Sequence, residues 1–274
     1  MPKSKYSTGN LILAVIMMLF GILMIVPVIW MVSTAFKTEA QIWQHNWIPD
    51  PFTLENFETV VERIPVFRML MNSFIVSITA TLGQLLTATL AAYAFARINF
   101  FGRNVLFMMF LGTMMIPGTV IIIPLYLIVD SLGLINTYGG LIIPSLVSIF
   151  AIFLLRQFFF TIPRDLDESA YIDGASRFRI LFQIIVPLSK PAYAALFIFS
   201  FMAVWNDFLW PLLVTTGESM RPIQVGLAYF QMGFTMDFGA TMAASFIASA
   251  PIIIVFLFAN KYFVEGITLT GIKG

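Results

Sequence analysis

The stretch PRDLDESAYIDGASRFRILFQIIVPLSKP, residues 163–191, is the long polar interruption in the second half of an otherwise apolar chain. Pro163 suits a first helical turn, and the acidic residues after it favour the positive end of a helix dipole. Gly174 is suited to end that helix in the left-handed conformation. Apolar residues then recur at helical spacing until Pro187. The pattern predicts a short helix, a glycine turn and a second, amphipathic helix.

The composition of the whole chain is that of a membrane protein. Of its 274 residues, 59% are hydrophobic and 11% are charged, whereas a soluble domain carries about a quarter charged residues. A large water-facing domain is therefore excluded. The chain has no cysteine, which excludes disulfides and cysteine metal sites. The basic residues form no patch outside the loops, so the sequence predicts no nucleic-acid partner.

Long charge-poor runs predict six transmembrane helices, because about 20 apolar residues are enough to cross a bilayer. Their approximate bounds are 11–36, 69–96, 104–129, 141–160, 191–214 and 239–262. The first run lacks the short apolar core and cleavage site of a signal peptide, so we interpret it as a retained span. Pro117 and Pro124 interrupt the third run, which predicts either a kinked helix that lines a cavity or a helix bent only by packing.

The distribution of basic residues sets the orientation of these spans. With both termini inside, eleven Lys and Arg residues lie on the cytoplasmic side and four lie outside, in agreement with the positive-inside rule. Residues 37–68 then form an external loop, in which Thr53 could cap a short helix, and residues 163–190 form a cytoplasmic loop. The sequence predicts one all-α membrane domain over residues 1–274, with six spans and both termini cytoplasmic.

Few polar residues are candidates for chemistry. No G-x-x-x-x-G-K-[ST] motif occurs, so the chain should not hold ATP phosphates in that way. The sole histidine, His45, has no second ligand beside it, and no metal site is predicted. Asn206 and Asp207 stand near the outer end of the fifth predicted span. Asp207 could line a substrate passage, lock two spans by hydrogen bonds, or be an interfacial carboxylate that reaches water beside Trp205 and Trp210.

The polar stretch resembles the EAA loop of the membrane subunits of bacterial ATP-binding-cassette importers. The family pattern is E-A-A, three residues, G, nine residues, then I-x-L-P. This chain has Glu168-Ser169-Ala170, then Gly174, then Ile184-Ile185-Val186-Pro187. Ser169 for alanine and Val186 for leucine are its two departures. The resemblance makes residues 163–190 a coupling loop rather than a solvated connector.

The resemblance extends over nearly the whole chain, which is similar to the smaller permease of maltose-type systems. It is carried by Asn72-Ser73, by Trp205-Asn206-Asp207-Phe208 and by residues 266–274. It implies a multi-pass permease in a bacterial cell membrane, half of an ATP-driven, binding-protein-dependent import pathway. The implied partners are a second permease, two copies of a cytoplasmic ATPase subunit and an extracytoplasmic solute-binding protein. ATP and Mg²⁺ would belong to the ATPase, and this chain would be no enzyme and hold no cofactor.

The family's functional positions are carried over residue by residue. The resemblance assigns ATPase coupling to Glu168, Ser169, Ala170, Asp173 and Gly174. Leu166 and Ala170 would enter the ATPase cleft, with Glu168 and Asp173 at its rim. The tail with Gly266, Gly271 and Lys273 would contact the ATPase subunits.

Two alternatives to a sugar importer follow from the same residues. Within importers the solute could be glycerol phosphate or a polyol rather than a sugar or oligosaccharide. The spans carry no Lys or Arg apart from Arg156 and Lys261, each near a membrane end, which favours a neutral solute. A self-contained secondary transporter or channel is the alternative of another class, and it would place ionisable residues near mid-membrane.

Overall fold

The computed structural model describes residues 8–44, 46–231 and 237–270, and these ranges contain helices and no β-strand. The all-α prediction is confirmed for them. A 3-10 turn spans Ile143–Ser145, and a π-helical turn spans Leu181–Ile185. The helices in chain order are α1 (Thr8–Ala35), α2 (Glu39–Ile42), α3 (Glu55–Arg63), α4 (Val66–Arg97), α5 (Arg103–Thr113), α6 (Gly118–Ser131), α7 (Tyr138–Ile142), α8 (Ile149–Thr161), α9 (Asp165–Ile172), α10 (Arg177–Ile180), α11 (Val186–Leu188), α12 (Lys190–Trp205), α13 (Leu209–Val214), α14 (Ile223–Tyr229) and α15 (Phe238–Thr270).

Membrane-crossing length is reached in two ways. Three single helices are long and apolar enough, over Gly9–Ala35, Val66–Arg97 and Phe238–Phe258. Three further stretches qualify only as bent pairs, namely Arg103–Thr113 with Gly118–Ser131, Tyr138–Ser145 with Ile149–Thr161, and Arg177–Leu188 with Lys190–Trp205. Counting each pair as one span gives six. The number of spans and the cytoplasmic position of both termini stay predictions.

The third predicted span, 104–129, is two helices rather than one bent helix. α5 and α6 meet at an angle of 96°. Pro117 starts α6 and disfavours helical backbone in the residue before it. Pro124, by contrast, lies inside α6 without ending it. The interpretation as a single kinked or bent helix is corrected: the first proline breaks the helix completely.

The fifth predicted span, 191–214, is also divided. α12 ends at Trp205, and α13 begins at Leu209. Between them the Asp207 Oδ1 atom accepts a hydrogen bond from the Trp210 backbone N–H at 3.4 Å. A short polar side chain of this kind competes with helical backbone bonding, so the helix restarts at this point.

The larger of two compact units comprises the described residues within 67–225 and 251–270. Its main core joins α4, α5, α8, the α10–α11 segment and α12 around fully buried side chains such as Leu155, Phe159 and Leu196. Ala88, Ala92 and Ala96 follow one face of α4 and are wholly buried, so small side chains allow the neighbouring helices to approach closely. A second cluster surrounds Trp210 with residues of α4, α6 and α7.

The smaller unit comprises the described residues within 1–66 and 226–250. Its α3 is the helix that the sequence predicts in the loop after α1. The Thr53 Oγ1 atom accepts from the Glu55 backbone N–H at 3.2 Å. The N-cap residue is Leu54, without a side-chain cap bond, so the predicted cap at Thr53 is corrected: Thr53 stabilises the turn that leads into α3. The Asn56 side chain donates to the backbone oxygens of Ala35 and Lys37 at 3.0 and 2.7 Å. These bonds hold α3 against the end of α1.

Candidate functional site

The first half of the 163–190 loop folds as the sequence predicts. α9 carries Asp165, Asp167 and Glu168 in its first turn, where negative charge complements the helix dipole. It ends at Gly174, which has a φ of +77°. The Gly174 N–H donates to the Tyr171 oxygen at 3.0 Å and the Ala175 N–H to the Ala170 oxygen at 2.9 Å. These two bonds form a Schellman cap, which requires a left-handed residue at Gly174.

The second half of the loop differs from the prediction at Pro187. The Ser176 side chain caps α10 by accepting from the Arg179 N–H at 3.3 Å. The helix then widens into the π-helical turn and continues through Pro187 to Leu188. A π-turn shifts the hydrogen-bond pattern by one residue, which helps to accommodate a residue without an N–H. The break falls at Ser189, and α12 leaves at 80° to the preceding segment.

One arginine ties the coupling loop to the helix bundle. Arg97 is the last residue of α4, and its Nη2 atom donates to the backbone oxygens of Phe159 and Ile162 at 2.8 and 2.7 Å. Its Nε atom lies 3.3 Å from Asp167 Oδ2 in α9. The two side chains are only 4% and 11% exposed. Arg97 therefore connects the ends of α4 and α8 to the first turn of α9.

The Asp167 carboxyl is held between two opposing effects. Burial raises its pKa from the ordinary value of 3.8, and the guanidinium groups of Arg97 and Arg164 oppose that rise. From the sequence Asp167 had no individual role, because nothing in the sequence shows that Arg97, 70 positions earlier, would be its partner. The sequence signal that could have indicated this pair is a basic residue at the end of an apolar span together with an acidic residue in the loop.

The predicted coupling residues do not all face outward. Glu168, Ser169, Asp173 and Gly174 are exposed. Ala170 instead packs, half-buried, against the main core, so it helps to seat α9 and is not part of its free surface. The Ser169 hydroxyl donates to the Asp165 backbone oxygen at 2.7 Å. This bond explains how the helix accepts serine where the E-A-A pattern has alanine.

The exposed surface of the loop carries large apolar side chains among its polar ones, and the sequence predicted only some of them. Leu166 is 41% exposed, Ile172 is 87% exposed and Phe178 is 68% exposed. Large apolar side chains exposed on a short loop are suited to contact with another protein. Ile172 and Phe178 were assigned no docking role from the sequence.

The predicted tail contacts lie at the edge of the described chain. Gly266 lies in α15, whereas Gly271 and Lys273 lie outside the described residues, as does His45. The assignment of these three tail residues to ATPase contact stays a prediction.

Asn206 and Asp207 lie at the break between α12 and α13 and make different contacts. The Asn206 Oδ1 atom accepts from the Gln224 side-chain nitrogen at 3.2 Å, as a lock between two segments would. Asp207 is half-buried and lines a cavity of about 150 Å³, together with residues of α4, α7 and α13. The geometry separates the pair: Asn206 contacts a neighbouring segment, and Asp207 faces a cavity.

The Asn72-Ser73 pair connects α4 to the segment before α14. The Asn72 side chain, 2% exposed, donates to the backbone oxygens of Ser219 and Arg221 at 2.9 and 3.1 Å and accepts from the Tyr138 hydroxyl at 2.7 Å. The Ser73 hydroxyl accepts from the Ile223 N–H at 2.7 Å. These residues therefore have a structural role beside the cavity.

Gly140 supports the same region through a close backbone approach. Its oxygen accepts from the Trp210 indole N–H at 3.0 Å, and a Cβ atom at Gly140 would collide with the backbone oxygen of Leu134. Gly140→Ala should therefore destabilise the fold by about 1–3 kcal/mol through overpacking. Gly139→Ala is the matched control, since its Cβ would meet the flexible end of the Leu134 side chain at 3.1 Å. Thermal unfolding of the purified variants measures the difference, and equal midpoints would contradict it.

Three comparisons bear on identity. Residues 84–268 match the model of the family described as "Binding-protein-dependent transport system inner membrane component". The trehalose/maltose transport system permease MalG of Thermococcus litoralis is 35% identical over 263 residues, covering 93% of this chain and 94% of the relative. The sn-glycerol-3-phosphate transport system permease UgpE of Brucella abortus is 35% identical over 273 residues, covering 96% and 97%.

The fold is also found in a solved structure. A chain of a bacterial ABC transporter involved in the import of the acidic polysaccharide alginate superposes with a TM-score of 0.82 at 23% identity, covering 94% of this chain and 99% of that one. The fold, the EAA-like loop and the extent of these matches agree with one another. The chain therefore belongs to the family of inner membrane components of binding-protein-dependent transport systems.

Proposed function

We propose that this chain is a permease subunit of an ATP-driven importer for a neutral sugar or oligosaccharide. It would form half of the translocation pathway and couple to a separate ATPase through residues 163–190. The observation that carries this proposal is the coupling loop: a capped helix, anchored by Arg97, with apolar side chains exposed at Leu166, Ile172 and Phe178.

The anchoring of α9 supports a mechanical role. An ATPase that opens and closes can move a permease only through an element that is docked on one side and rigidly attached on the other. The Arg97–Asp167 contact and the packing of Ala170 on the main core supply the attachment. The exposed apolar residues supply the docking surface. α9 would thus pass the closure of the ATPase subunits to α4 and α8.

The remaining partners follow from family membership. A binding-protein-dependent system needs an extracytoplasmic solute-binding protein, and a second permease would complete the pathway. ATP and Mg²⁺ would be held by the ATPase subunits, and this chain would act as a transport subunit in the cell membrane, not as the enzyme.

The relatives include permeases for both solute classes, and charge favours one of them. MalG is named for trehalose and maltose, whereas UgpE is named for sn-glycerol 3-phosphate. The described residues that line the Asp207 cavity include one carboxylate and no Lys or Arg. A phosphate group would be repelled there, so a neutral sugar is favoured over glycerol phosphate.

The test is gentle detergent extraction of the tagged chain from its native cells, followed by mass spectrometry. We expect a second permease, an ATPase subunit and a solute-binding protein to co-purify. Ile172→Asp should lose the ATPase but keep the second permease, because it puts a charge on the docking surface. Phe101→Asp is the matched control, since Phe101 is likewise exposed but lies outside the loop.

Two outcomes would contradict the proposal. If the chain were extracted alone and transported solute alone in liposomes, a secondary transporter or channel would replace it. If Ile172→Asp retained the ATPase as fully as Phe101→Asp does, the docking surface would lie elsewhere.

A further inference from the structure

The cavity beside Asp207 is polar on several sides. Its polar walls are Ser73 and Ser77 of α4, Ser145 after α7, and Asp207. The other seven lining residues, Trp210 among them, are apolar. The cavity lies wholly within the larger compact unit.

The size and lining of this cavity indicate that it is filled. Its volume of about 150 Å³ is about five times the ~30 Å³ that one water molecule occupies in the liquid. Apolar cavities of that size remain dry, whereas polar ones hold molecules that hydrogen-bond their walls. A carboxylate and three hydroxyl groups make this a cavity of the second kind.

Ser77 supplies an independent sign of an occupant. Its side chain is 1% exposed, and its hydroxyl has no hydrogen-bond partner among the described residues. A buried polar group without a partner costs about 1–3 kcal/mol. The neighbouring hydroxyls of Ser73 and Ser145 do have protein partners, the Ile223 N–H and the Ile142 oxygen. Among the three serine hydroxyls of the wall, the one without a protein partner among the described residues is therefore that of Ser77.

The chemistry of the walls selects the occupant. A carboxylate accepts hydrogen bonds only, whereas a serine hydroxyl can donate and accept. A hydroxyl group is a neutral group that can donate to Asp207 and also bond with Ser77. An anion would be repelled by the carboxylate, and an apolar group would leave both polar walls unpaired.

We propose that the cavity between Ser77 and Asp207 is a hydrated subsite that binds a hydroxyl or hydroxymethyl group of the transported solute. This inference rests on the proposed function, because it takes the solute to be a neutral sugar. Water would fill the subsite when no solute is present, and the solute hydroxyl would replace it.

The absence of cysteine from the chain allows a direct test. Ser77→Cys introduces one thiol into the assembled, native-cell importer, which is treated with 2-aminoethyl methanethiosulfonate. Mass spectrometry of this chain then measures the labelling rate. Thiols react as thiolates and are inert in dry apolar surroundings, so labelling reports hydration. Thr81→Cys is the matched control: Thr81 is wholly buried on α4, lacks a partner among the described residues, and does not line the cavity.

We expect Ser77→Cys to be labelled at least tenfold faster than Thr81→Cys. Maltose or trehalose, whichever the importer takes up, should slow that labelling at least fivefold, and sn-glycerol 3-phosphate should not. Adding Asp207→Asn should remove the protection by sugar while labelling continues. Equal rates for the two thiols would overturn the proposal, and so would fast labelling that no transported sugar slows.

Failure of the subsite and failure of the proposed function give different results. Uptake by the same reconstituted importer is measured beside the labelling. If a neutral sugar is taken up but does not protect Ser77→Cys, the subsite is wrong and the importer assignment stands. If only sn-glycerol 3-phosphate is taken up, the neutral-sugar function is wrong, whatever the labelling rates are.

Discussion

Arg97→Met is expected to destabilise the protein by about 3–5 kcal/mol and to abolish ATP-driven uptake, because it deprives a buried carboxylate of its ion-pair partner. The Asp167 side chain is 11% exposed, and the carbonyl groups of Phe159 and Ile162 would lose their donor as well. Thermal unfolding of the purified assembly and solute uptake in proteoliposomes measure the two effects.

The Arg97–Asp167 ion pair predicts different losses of stability for different variants. Asp167→Asn should lower the stability of the folded protein by less, about 1 kcal/mol, because Arg97 keeps its two carbonyl partners. Arg97→Met combined with Asp167→Leu should recover part of the stability, since an apolar pair can replace a buried ion pair. Arg103→Met is the matched control, because the Arg103 side chain bonds only to Ile98 and Asn99 among the described residues. If Arg97→Met and Arg103→Met unfolded at the same temperature, the role assigned to Arg97 would be wrong.

The stability lost in Arg97→Met should depend on pH. A raised pKa means that the folded state holds the proton more tightly than the unfolded chain does, so acid favours the folded form between the ordinary value of 3.8 and the raised one. Removing the Arg97 charge lets burial raise the pKa of Asp167 further. The stability gap between wild type and Arg97→Met should therefore narrow as the pH falls through that raised pKa. A gap that widens toward acid would contradict the assignment.

Gly174→Val is expected to uncouple ATP hydrolysis from uptake while the protein still inserts and assembles. A left-handed backbone costs an L-residue about 1–2 kcal/mol, and a β-branched side chain fits it poorly. No heavy atom lies within 4 Å of a Cβ built at Gly174, so the effect is on the backbone alone. Uptake should fall about 5- to 30-fold, with the ATPase still bound on extraction.

Two controls separate this effect from general strain. Gly174→Asn should retain most of the uptake, because asparagine adopts the left-handed conformation readily. Gly102→Val imposes the same strain outside the coupling loop, since Gly102 has a φ of +75° and equally open surroundings. Undiminished uptake by Gly174→Val, or an equal loss in Gly102→Val, would refute the coupling role of the Gly174 turn.

Much of the architecture could be predicted from local sequence. Charge-poor runs predicted the long helices α1, α4 and α15, and Asp165, Pro163 and Gly174 predicted α9 and its cap. These features depend on residues close together in the chain, such as an acidic first turn or a glycine with positive φ. The EAA-like spacing pointed to the family for the same reason.

The effect of each proline on its helix could not be predicted from local sequence. Pro117 separates α5 from α6 by 96°, Pro124 is tolerated inside α6, and Pro187 is passed through a π-helical turn. The residue type is the same in each case. Whether a helix breaks, continues or widens depends on which neighbours can satisfy or bury the freed backbone groups, and periodicity does not report that.

By itself the sequence determined the apolar all-α character of this protein, the coupling helix with its glycine cap, and the family. Only the tertiary structure decided that Arg97 pairs with Asp167, that Ala170 faces inward while Ile172 faces outward, and that Ser77 and Asp207 share a cavity. Each of these pairings joins residues that are far apart in the chain or on different faces of a helix. Their energies depend on burial and on distances of a few ångströms, which are set when the helices pack together.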